Sequence, residues 1–361
     1  MMNDLGIRNH LAPTFLNLED VEPSEAPVRR ESPAMGHVRQ TLAESPDELR
    51  ARLEGAVEEL INAKDEEERE FRQYKFDLAL KDLSEQAKRK EQGQIRGWIR
   101  LSEQVADLPR GEALQPWQGQ AVSELIEQLD REPEIRGLGA QRSEGFPDFF
   151  DKLIELIGLI GDGYLDVYEH IVASYSKFFQ AFNEQITAKL HEWIEGANEG
   201  KDVELNVEEL KKALDDLRQQ FSQAPTGVLF PVPPEDPDVP PNTASKEDAL
   251  EWIKAMGSGR LVDLGGGRYY VMIDLSPLDS MIEKLDEIPP GEIQEGKVTW
   301  NSAKFQAWQT GFNAQGEQLK NELQKLTQKY SSANSTHDNF IKTLSSHLSQ
   351  FTDMLKAMLN F

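Results

Sequence analysis

The C-terminal end of the chain carries the apolar repeat that most constrains its fold. Between residues 301 and 361, large apolar side chains recur at steps of three and four, which places them along one side of a helix. No proline follows Pro290, and Asn301 stands where a helix needs a capping side chain. At about 1.5 Å per residue, the repeat predicts one helix roughly 85 Å long. Such a helix must bury its apolar side against a partner.

A second apolar repeat, over residues 146–196, supplies that partner. Pro147 suits the first position of a helix, where its missing amide hydrogen costs nothing. Steps of four predominate between Val167 and Leu190, so we expect local unwinding there. Roughly one hundred residues separate the two repeats, which allows them to pair antiparallel. The seam of this coiled coil is expected to contain Ile157, Tyr164, Ile171, Tyr175, Phe182, Leu319, Leu323, Leu326, Tyr330 and Leu344.

Two further segments precede the coiled coil. Residues 1–43 are polar and contain scattered prolines without a sustained repeat, which is typical of disorder. Residues 44–135 open with a capping box that begins at Ser45, and apolar residues then follow at helical spacing. We interpret this second segment as an N-terminal helical hairpin that lies along the coiled coil, with Gly93 as one of its interruptions.

The segment between the two rod helices, residues 197–299, has mixed signals. Asn206 and Ser245 each stand at the start of a short helical pattern, and two strand-like runs flank the glycines at 265–267. The proline-rich stretch 225–241 is expected to form an exposed loop without regular structure. The whole chain is therefore predicted to be mainly α, a long antiparallel intramolecular coiled coil with an N-terminal helical hairpin and a small α/β insert.

The charge balance argues against two classes of partner. The chain has 64 acidic and 39 basic side chains, a formal net charge of −25. Such a chain repels nucleic acid and anionic lipid headgroups, so neither is expected as a partner. Residues 297–361 differ, because seven lysines against four acidic residues give them a net +3. This mildly basic helix fits a docking surface and a solvated face equally well.

The chain contains no cysteine, which excludes disulfides, thiolate metal sites and cysteine nucleophiles. A cysteine-free chain also suits a protein that passes from a reducing to an oxidising compartment. No apolar run approaches the roughly 20 residues of a membrane span, so no transmembrane segment is expected. The start of the chain also lacks the pattern of a cleaved secretory signal.

No residue pattern predicts catalysis. The glycines at 265–267 lack the lysine and Ser/Thr of a phosphate loop. His191 and Glu192 resemble the start of a zinc-protease motif, but the second histidine is missing. His337 falls on the coiled-coil seam, where a core or boundary histidine with satisfied hydrogen bonds is expected rather than a ligand. We therefore expect no enzymatic activity, no cofactor and no metal.

Several short strings of residues, most of them on the two rod helices, make the chain resemble a known family. They lie at residues 164–170, 173–175, 210–214, 267–271, 305–309, 311–312, 326–335 and 344–346. In this order they resemble the needle-tip proteins of invasion-type type III secretion systems, the IpaD/SipD/BipD family. Residues 45–130 match that family only in architecture, and the proline-rich loop looks longer than its usual connection.

The resemblance implies an oligomeric cap, a pentamer, on the secretion needle. Such a cap restrains effector release until host contact and gives hydrophobic translocator proteins a platform for assembly. The resemblance also implies that the hairpin covers the coiled coil until assembly and that residues 1–43 carry an uncleaved export signal. The protein would then be secreted by the type III pathway and sit at the needle tip on the bacterial surface. Some family members bind bile salts between hairpin and rod, so a bile salt is a candidate ligand.

The polar face of the last helix is the part predicted to dock on the needle subunit. The residues expected to carry this contact are Lys325, Lys329, Asn334, Asp338, Asn339 and Lys342. An intracellular coiled-coil adaptor or export chaperone fits the acidic charge and the helix content equally well and stays open as an alternative. An enzyme with its site in the α/β insert is a third reading, which no group of residues supports.

Overall fold

A computed structural model of the chain describes residues 44–106, 161–234, 239 and 242–359. Some of the predictions fall on residues outside these ranges. They are the disorder of residues 1–43, the second part of the hairpin beyond Ala106, the first part of the rod helix from 146 to 160 with Ile157, and part of the proline-rich loop.

The predicted C-terminal helix is one continuous element, α7, from Ser302 to Leu359. The Lys304 amide donates to Asn301 Oδ1 at 2.9 Å, so Asn301 caps the helix as its position predicts. Gly311 and Gly316 lie inside α7 without ending it. At about 1.5 Å per residue the helix is roughly 87 Å long.

The first rod helix is less regular than α7. A π-helical turn from Gly161 to Leu165 leads into α3, Asp166–Phe182, and a second π-helical turn, Asn183–Thr187, follows it. This second turn lies within the stretch where steps of four predict local unwinding. By contrast, α3 itself is a regular helix, so the expected unwinding is confined to the end of that stretch.

The predicted end of this rod helix near residue 196 is wrong. A short 3₁₀ turn occupies Leu190–Glu192, and strand β1, Ile194–Ala197, follows. Residues of β1 pair antiparallel with β2, Asp202–Asn206. Gly196 disfavours a helix at this point. The backbone N–H and C=O groups of β1 pair with β2 instead of forming the hydrogen bonds of a helix.

The N-terminal hairpin has its reversal at residues 62–65. Helix α1, Pro46–Ile61, begins with the predicted capping box, in which the Ser45 amide donates to Glu48 Oε2 at 2.7 Å. Helix α2 then runs from Glu66 to Ala106. The expected interruption at Gly93 is wrong, because this residue lies inside α2. A glycine costs a helix interior only about 1 kcal/mol, which the packing of a long helix offsets.

Two small antiparallel sheets complete the fold of the described residues. The first has the order β1-β2-β7-β6, with β6 at Ile293–Gln294 and β7 at Lys297–Asn301. Because β1 follows the first rod helix and β7 leads directly into α7, this sheet ties together the ends of both rod helices. The second sheet has the order β3-β5-β4. It belongs to the insert, with strands at Val228–Phe230, Arg268–Met272 and Arg260–Gly265.

The insert also contains three short helices. They are α4, Val207–Phe221, α5, Lys246–Met256, and α6, Ser276–Asp286. Asn206 caps α4 and Ser245 caps α5, each by accepting a hydrogen bond from a backbone amide three residues later, as predicted. The mainly α fold with a small α/β insert is therefore confirmed.

One prediction about the proline-rich stretch is wrong. Strand β3 lies inside residues 225–241, where no regular structure is expected from the sequence, and it pairs with β5. The segment from Thr226 to Phe230 contains no proline, and Val228 and Leu229 are each 1% exposed. Apolar burial therefore favours a strand, and its position at the edge of the sheet tolerates Pro231 immediately after it.

Candidate functional site: the face of α7 beneath the hairpin

The two rod helices are joined by an apolar seam. Its described side chains are between 0% and 6% exposed; they are Tyr164, Ile171, Tyr175, Phe182, Leu319, Leu323, Leu326 and Tyr330. Burial raises the pKa of the Tyr175 and Tyr330 hydroxyls, so both stay neutral in the seam. Leu344 lies within α7, and its side chain is outside the described part of the structure. The seam continues into one apolar core that also includes residues of the hairpin and the insert.

A polar stripe on α7 meets the hairpin beside this seam. Arg50 of α1 donates to Asn334 Oδ1 at 2.9 Å and to Asp338 Oδ2 at 3.1 Å. One turn further along α1, Glu54 accepts a hydrogen bond from the Ser331 hydroxyl at 2.6 Å. These contacts fix the register of α1 on α7, because Arg50 spans Asn334 and Asp338 while Glu54 pairs with Ser331 one turn away.

The Asp338 carboxylate is the centre of this contact. It is 4% exposed and receives Lys90 Nζ of α2 on Oδ1 at 2.7 Å, while Arg50 of α1 approaches its other oxygen. Two cations from different helices of the hairpin therefore share one carboxylate of the rod. A buried carboxylate is stable only when paired in this way, so Asp338 depends on the hairpin for its counter-charges.

The hairpin makes a second set of polar contacts, with α3. Gln73 donates to the Ser176 hydroxyl at 2.8 Å, and Ser84 donates to Glu169 Oε2 at 2.5 Å. Lys88 lies 3.3 Å from Asp166 and 3.6 Å from Glu169. Partial burial lowers the pKa of Lys88, but the charges and hydrogen bonds of the two carboxylates together outweigh it, so the pKa is raised. The hairpin therefore contacts both rod helices through hydrogen-bonded side chains.

The predicted docking residues on α7 separate into two groups. Asn334 and Asp338 are 2% and 4% exposed beneath the hairpin, so they are not on the surface. Asn339 and Lys342 are exposed, and Lys329 is half-buried. The reason for the difference is that Arg50 and Lys90 cover the polar side chains that the sequence places on an apparently solvated face.

Lys325, the remaining docking candidate, belongs to a contact with the insert. Its Nζ donates to the Gly257 carbonyl at 2.7 Å, at the C-terminal end of α5. A cation there satisfies a free carbonyl and complements the helix dipole. The side chain also lies 3.4 Å from Glu322 on its own helix. Lys325 therefore joins α7 to the insert.

His337 is buried on α7 next to Asp338. The side chain is 1% exposed, and neither ring nitrogen has a hydrogen-bond partner among the described residues. Burial lowers its pKa from 6.5 to about 4, and this effect outweighs the attraction of Asp338. The ring is therefore neutral at pH 7. It lies in the core as expected, but with its polar atoms unsatisfied.

A cleft of about 300 Å³ lies between the turn of the hairpin and the rod. Apolar side chains of both parts line it, together with Arg69 of α2 and with Lys320 of α7. Glu317, which is also in the lining, lies 3.5 Å from Lys320, so the charged groups of the cleft have a net charge of +1. The apolar lining consists mainly of Leu60, Ile61, Phe179, Phe182, Leu190 and Phe312. This combination of apolar surface and positive charge fits an amphipathic anion.

Within residues 44–106, 161–234 and 242–359, no group of three or more His, Cys, Asp or Glu side chains is placed to hold a metal ion. None of the described helices is both long and apolar enough to cross a membrane.

Comparison with known proteins identifies the family. Residues 134–359 match the type III secretion systems tip complex components. The chain belongs to this family. Invasin IpaD of Shigella flexneri is 37% identical over 241 residues, which cover 66% of this chain and 67% of that protein. Cell invasion protein SipD of Salmonella typhi is 38% identical over 214 residues, 59% of this chain and 61% of that protein. The aligned region therefore spans about two thirds or less of these relatives.

Solved structures show the same fold. The pathogenicity island 1 effector protein from Chromobacterium violaceum has a TM-score of 0.53 and 28% identity, over 88% of this chain and 96% of that chain. BipD of Burkholderia pseudomallei, a component of the type III secretion system, has a TM-score of 0.52 over 88% of this chain and 98% of that chain. At 20% identity, the likeness to BipD shows the fold alone.

In this tip complex component, one string that carries the family resemblance anchors the insert on the rod. Tyr164 and Tyr168 contact each other edge-on at 5.2 Å between ring centroids, and Trp252 of α5 lies 6.0 Å and 5.3 Å from them. His170 Nε2 donates to the Val228 carbonyl of β3 at 2.8 Å. Residues 164–170 therefore hold both a helix and a strand of the insert against α3.

Sequence reasoning missed Arg50 and Lys90, which form the centre of the hairpin contact. Arg50 is 8% exposed although it is charged, and it sits between Leu49 and Leu53 on the buried side of α1. An arginine on the apolar face of an amphipathic helix is a signal of a buried acceptor. The sequence could have pointed to Arg50 by this criterion, but not to its partners on α7.

Proposed function

We propose that this protein caps the needle of a type III secretion system, restrains secretion until host contact and gives a hydrophobic translocator protein a platform for assembly. It acts without catalysing a reaction. Its partners are the needle subunit, the translocator protein and further copies of itself in a pentamer. It reaches the bacterial surface at the needle tip by type III secretion, with residues 1–43 as the export signal. Membership of the tip complex family is the main support.

The observation that carries the mechanism is the covered polar stripe of α7. Ser331, Asn334 and Asp338 would be poor core residues for a permanent interface, because each requires a matched polar partner. The same side chains would be well solvated or could pair with a new partner after the hairpin moves. In the proposed function, the hairpin therefore masks an assembly face and lowers the effective affinity of the rod for partners until displacement.

Needle docking on α7 then occurs in two steps. Lys342 and Asn339 are exposed with the hairpin closed, so they and half-buried Lys329 are available for the first encounter. Asn334 and Asp338 become available only after Arg50 and Lys90 leave them. Lys325 contributes by holding the insert in place at the same level of the rod.

Charge reversal tests the docking surface. The double variant Lys329→Glu with Lys342→Glu should bind purified needle subunit at least about tenfold more weakly, a loss near 1.4 kcal/mol. Lys246→Glu with Lys254→Glu on α5 is the matched control, because it changes the same charge at exposed positions of the insert. Equal needle binding by the two double variants, with helicity retained, would show that the docking surface lies elsewhere.

A secretion assay separates the tip protein from an intracellular adaptor or export chaperone. We expect the full-length protein in the culture medium when the type III apparatus is intact and inside the cell when the apparatus is disabled. Retention inside the cell in both strains would contradict the proposed function.

A bile salt is the proposed ligand of the cleft between hairpin and rod. Its rigid apolar skeleton would contact Phe182 and Phe312, and its anionic group would pair with Arg69 or Lys320. Calorimetric titration of a bile salt should show weaker binding to Lys320→Gln than to Lys304→Gln, a change outside the cleft. The same affinity for both variants would remove the cleft as the binding site.

A further inference from the structure

Among the described residues, His337 is a buried titratable group whose state the fold leaves unexplained. Buried polar groups in proteins are normally hydrogen-bonded, and an unsatisfied one requires a reason. His337 is 1% exposed with both ring nitrogens unpaired in the described part of the chain, while its neighbours Asn334 and Asp338 are fully engaged by the hairpin. A residue such as leucine would fill a core position without this cost.

The charges around His337 come from three helices. On α7 itself the neighbouring group is Asp338, on α2 it is Lys90, and on α1 it is Arg50, which shares the Asp338 carboxylate with Lys90. Two further acidic groups face the same interface from α3, but Lys88 already engages both Asp166 and Glu169.

Two acidic groups of the hairpin are also occupied. Glu54 of α1 accepts the Ser331 hydroxyl, and Glu91 of α2 is buried with an interaction of its own. At neutral pH, Asp338 is the buried carboxylate that Arg50 and Lys90 share, and Arg50 also pairs with the exposed Asp47 of α1. Neither Glu54 nor Glu91 is free to neutralise a further cation.

We propose that His337 makes the contact between the hairpin and α7 sensitive to acid, so that protonation of its ring loosens the hairpin from the rod. The added charge is buried without a hydrogen-bond acceptor among the described residues, and it is repelled by Lys90, which shares the neighbouring Asp338 with Arg50. It therefore opposes the same ion pairs that hold α1 and α2 on α7. When the hairpin separates from α7, water can solvate the imidazolium, Lys90 and Arg50, which removes the free-energy cost of the buried charge.

The size of the effect follows from linkage. Burial lowers the pKa of His337 from an ordinary 6.5 to about 4 in the closed state. If opening restores the ordinary value, the equilibrium constant for opening rises about thirtyfold between pH 7.5 and pH 5. Above pH 7 the ring is neutral in both states and has no effect on opening.

Hydrogen exchange of the full-length chain, corrected for the intrinsic pH dependence of exchange, tests this inference. Protection factors in α1 and in the first half of α2 should fall about thirtyfold more than those of α4 in the insert between pH 7.5 and pH 5. His337→Gln should abolish this differential fall, and His191→Gln, a change at an exposed histidine, should preserve it. For each variant, protection factors at pH 5 are compared with those of the same variant at pH 7.5, so a variant that is less stable at both pH values still gives a usable result.

Two results would overturn the inference. One is a differential fall of the same size in His337→Gln and in the natural chain. The other is a natural chain whose hairpin and insert respond equally to pH. His337→Phe serves as a second variant, because a ring that cannot titrate should also remove the response even if glutamine disturbs packing.

The biological meaning of this switch rests on the proposed masking role of the hairpin, but the exchange experiment needs no needle or translocator. If the hairpin opens in acid but charge reversal at Lys329 and Lys342 leaves needle binding unchanged, the pH response is supported and the docking surface is rejected. If those reversals weaken needle binding but the hairpin does not open in acid, the docking surface is supported and the pH response is rejected.

Discussion

Replacement of Asp338 by asparagine is the most informative single change in the hairpin contact. The substitution keeps the shape of the side chain and removes the charge that Arg50 and Lys90 share at 3.1 Å and 2.7 Å. It leaves Asn334 and the seam unchanged. The expected result is a specific loss of stability of the hairpin on the rod.

The expected magnitude follows from the burial of each partner. Loss of one member of a fully buried ion pair costs about 3–5 kcal/mol. Here the Arg50 side chain is 10% exposed and keeps its contacts with Asp47 and Asn334, while Lys90 is 33% exposed and can turn to solvent. We therefore expect Asp338→Asn to reduce the free energy that holds the hairpin closed by about 2–3 kcal/mol.

Urea unfolding and hydrogen exchange together measure this loss, the first globally and the second in α1 and α2. Asp286→Asn is the matched control, because its partner Lys211 is on the surface of the insert and the pair contributes less than about 1 kcal/mol. The combination of Arg50→Met with Asp338→Leu should recover part of the loss, since an apolar pair needs no counter-charge. If Asp338→Asn costs no more free energy of unfolding than Asp286→Asn, the shared carboxylate does not hold the hairpin on the rod.

Two further predictions concern the stability of the rod. Leu326 is 0% exposed in the seam, so Leu326→Ala should lower the free energy of unfolding, measured in urea, by about 2–5 kcal/mol. Leu250 is 47% exposed, so Leu250→Ala is the control and should change the free energy of unfolding by less than about 0.5 kcal/mol. Equal costs would contradict the seam. His337 has a pKa in the folded chain below that of the unfolded chain, so the unfolded chain binds more protons between pH 6.5 and pH 4. The free energy of unfolding should therefore decrease by roughly 3 kcal/mol as the pH falls from above 6.5 to 4. In His337→Gln, this contribution to the pH dependence of the free energy of unfolding should be absent.

The long elements could be predicted because their signals are local. Asn206, Ser245 and Asn301 cap helices where the sequence places them, and the spacing of apolar residues on α7 identifies the side that contacts α3. Each of these signals involves residues within a few turns of one another. A helix start or an apolar stripe is therefore recognisable without knowledge of its partner.

The polar contacts of α7 could not be predicted in the same way. In the sequence, Asn334 and Asp338 have the pattern of a solvated helix face. Their partner Arg50 lies 284 residues before Asn334 and 288 residues before Asp338, so the sequence around them does not reveal the contact. Strand β3 was missed for a related reason, because its pairing with β5 and not its own short sequence makes it regular. In both cases the deciding interaction is distant in sequence.

The most direct test of the masking role is a covalent link between hairpin and rod. The chain has no cysteine, so Glu54→Cys with Ser331→Cys introduces a unique pair at a contact of 2.6 Å between the original side chains. A short bismaleimide should join them in the full-length protein. Glu59→Cys with Lys75→Cys is the matched control, because the same reagent then links α1 to α2 within the hairpin and leaves the rod free.

Binding of the linked proteins to needle subunit is the measurement that decides. If the hairpin masks the assembly face of α7, the link between positions 54 and 331 should strongly reduce binding and oligomer formation, whereas the link within the hairpin should have little effect. Equal binding by the two linked proteins would contradict the claim that the hairpin must leave α7 for assembly.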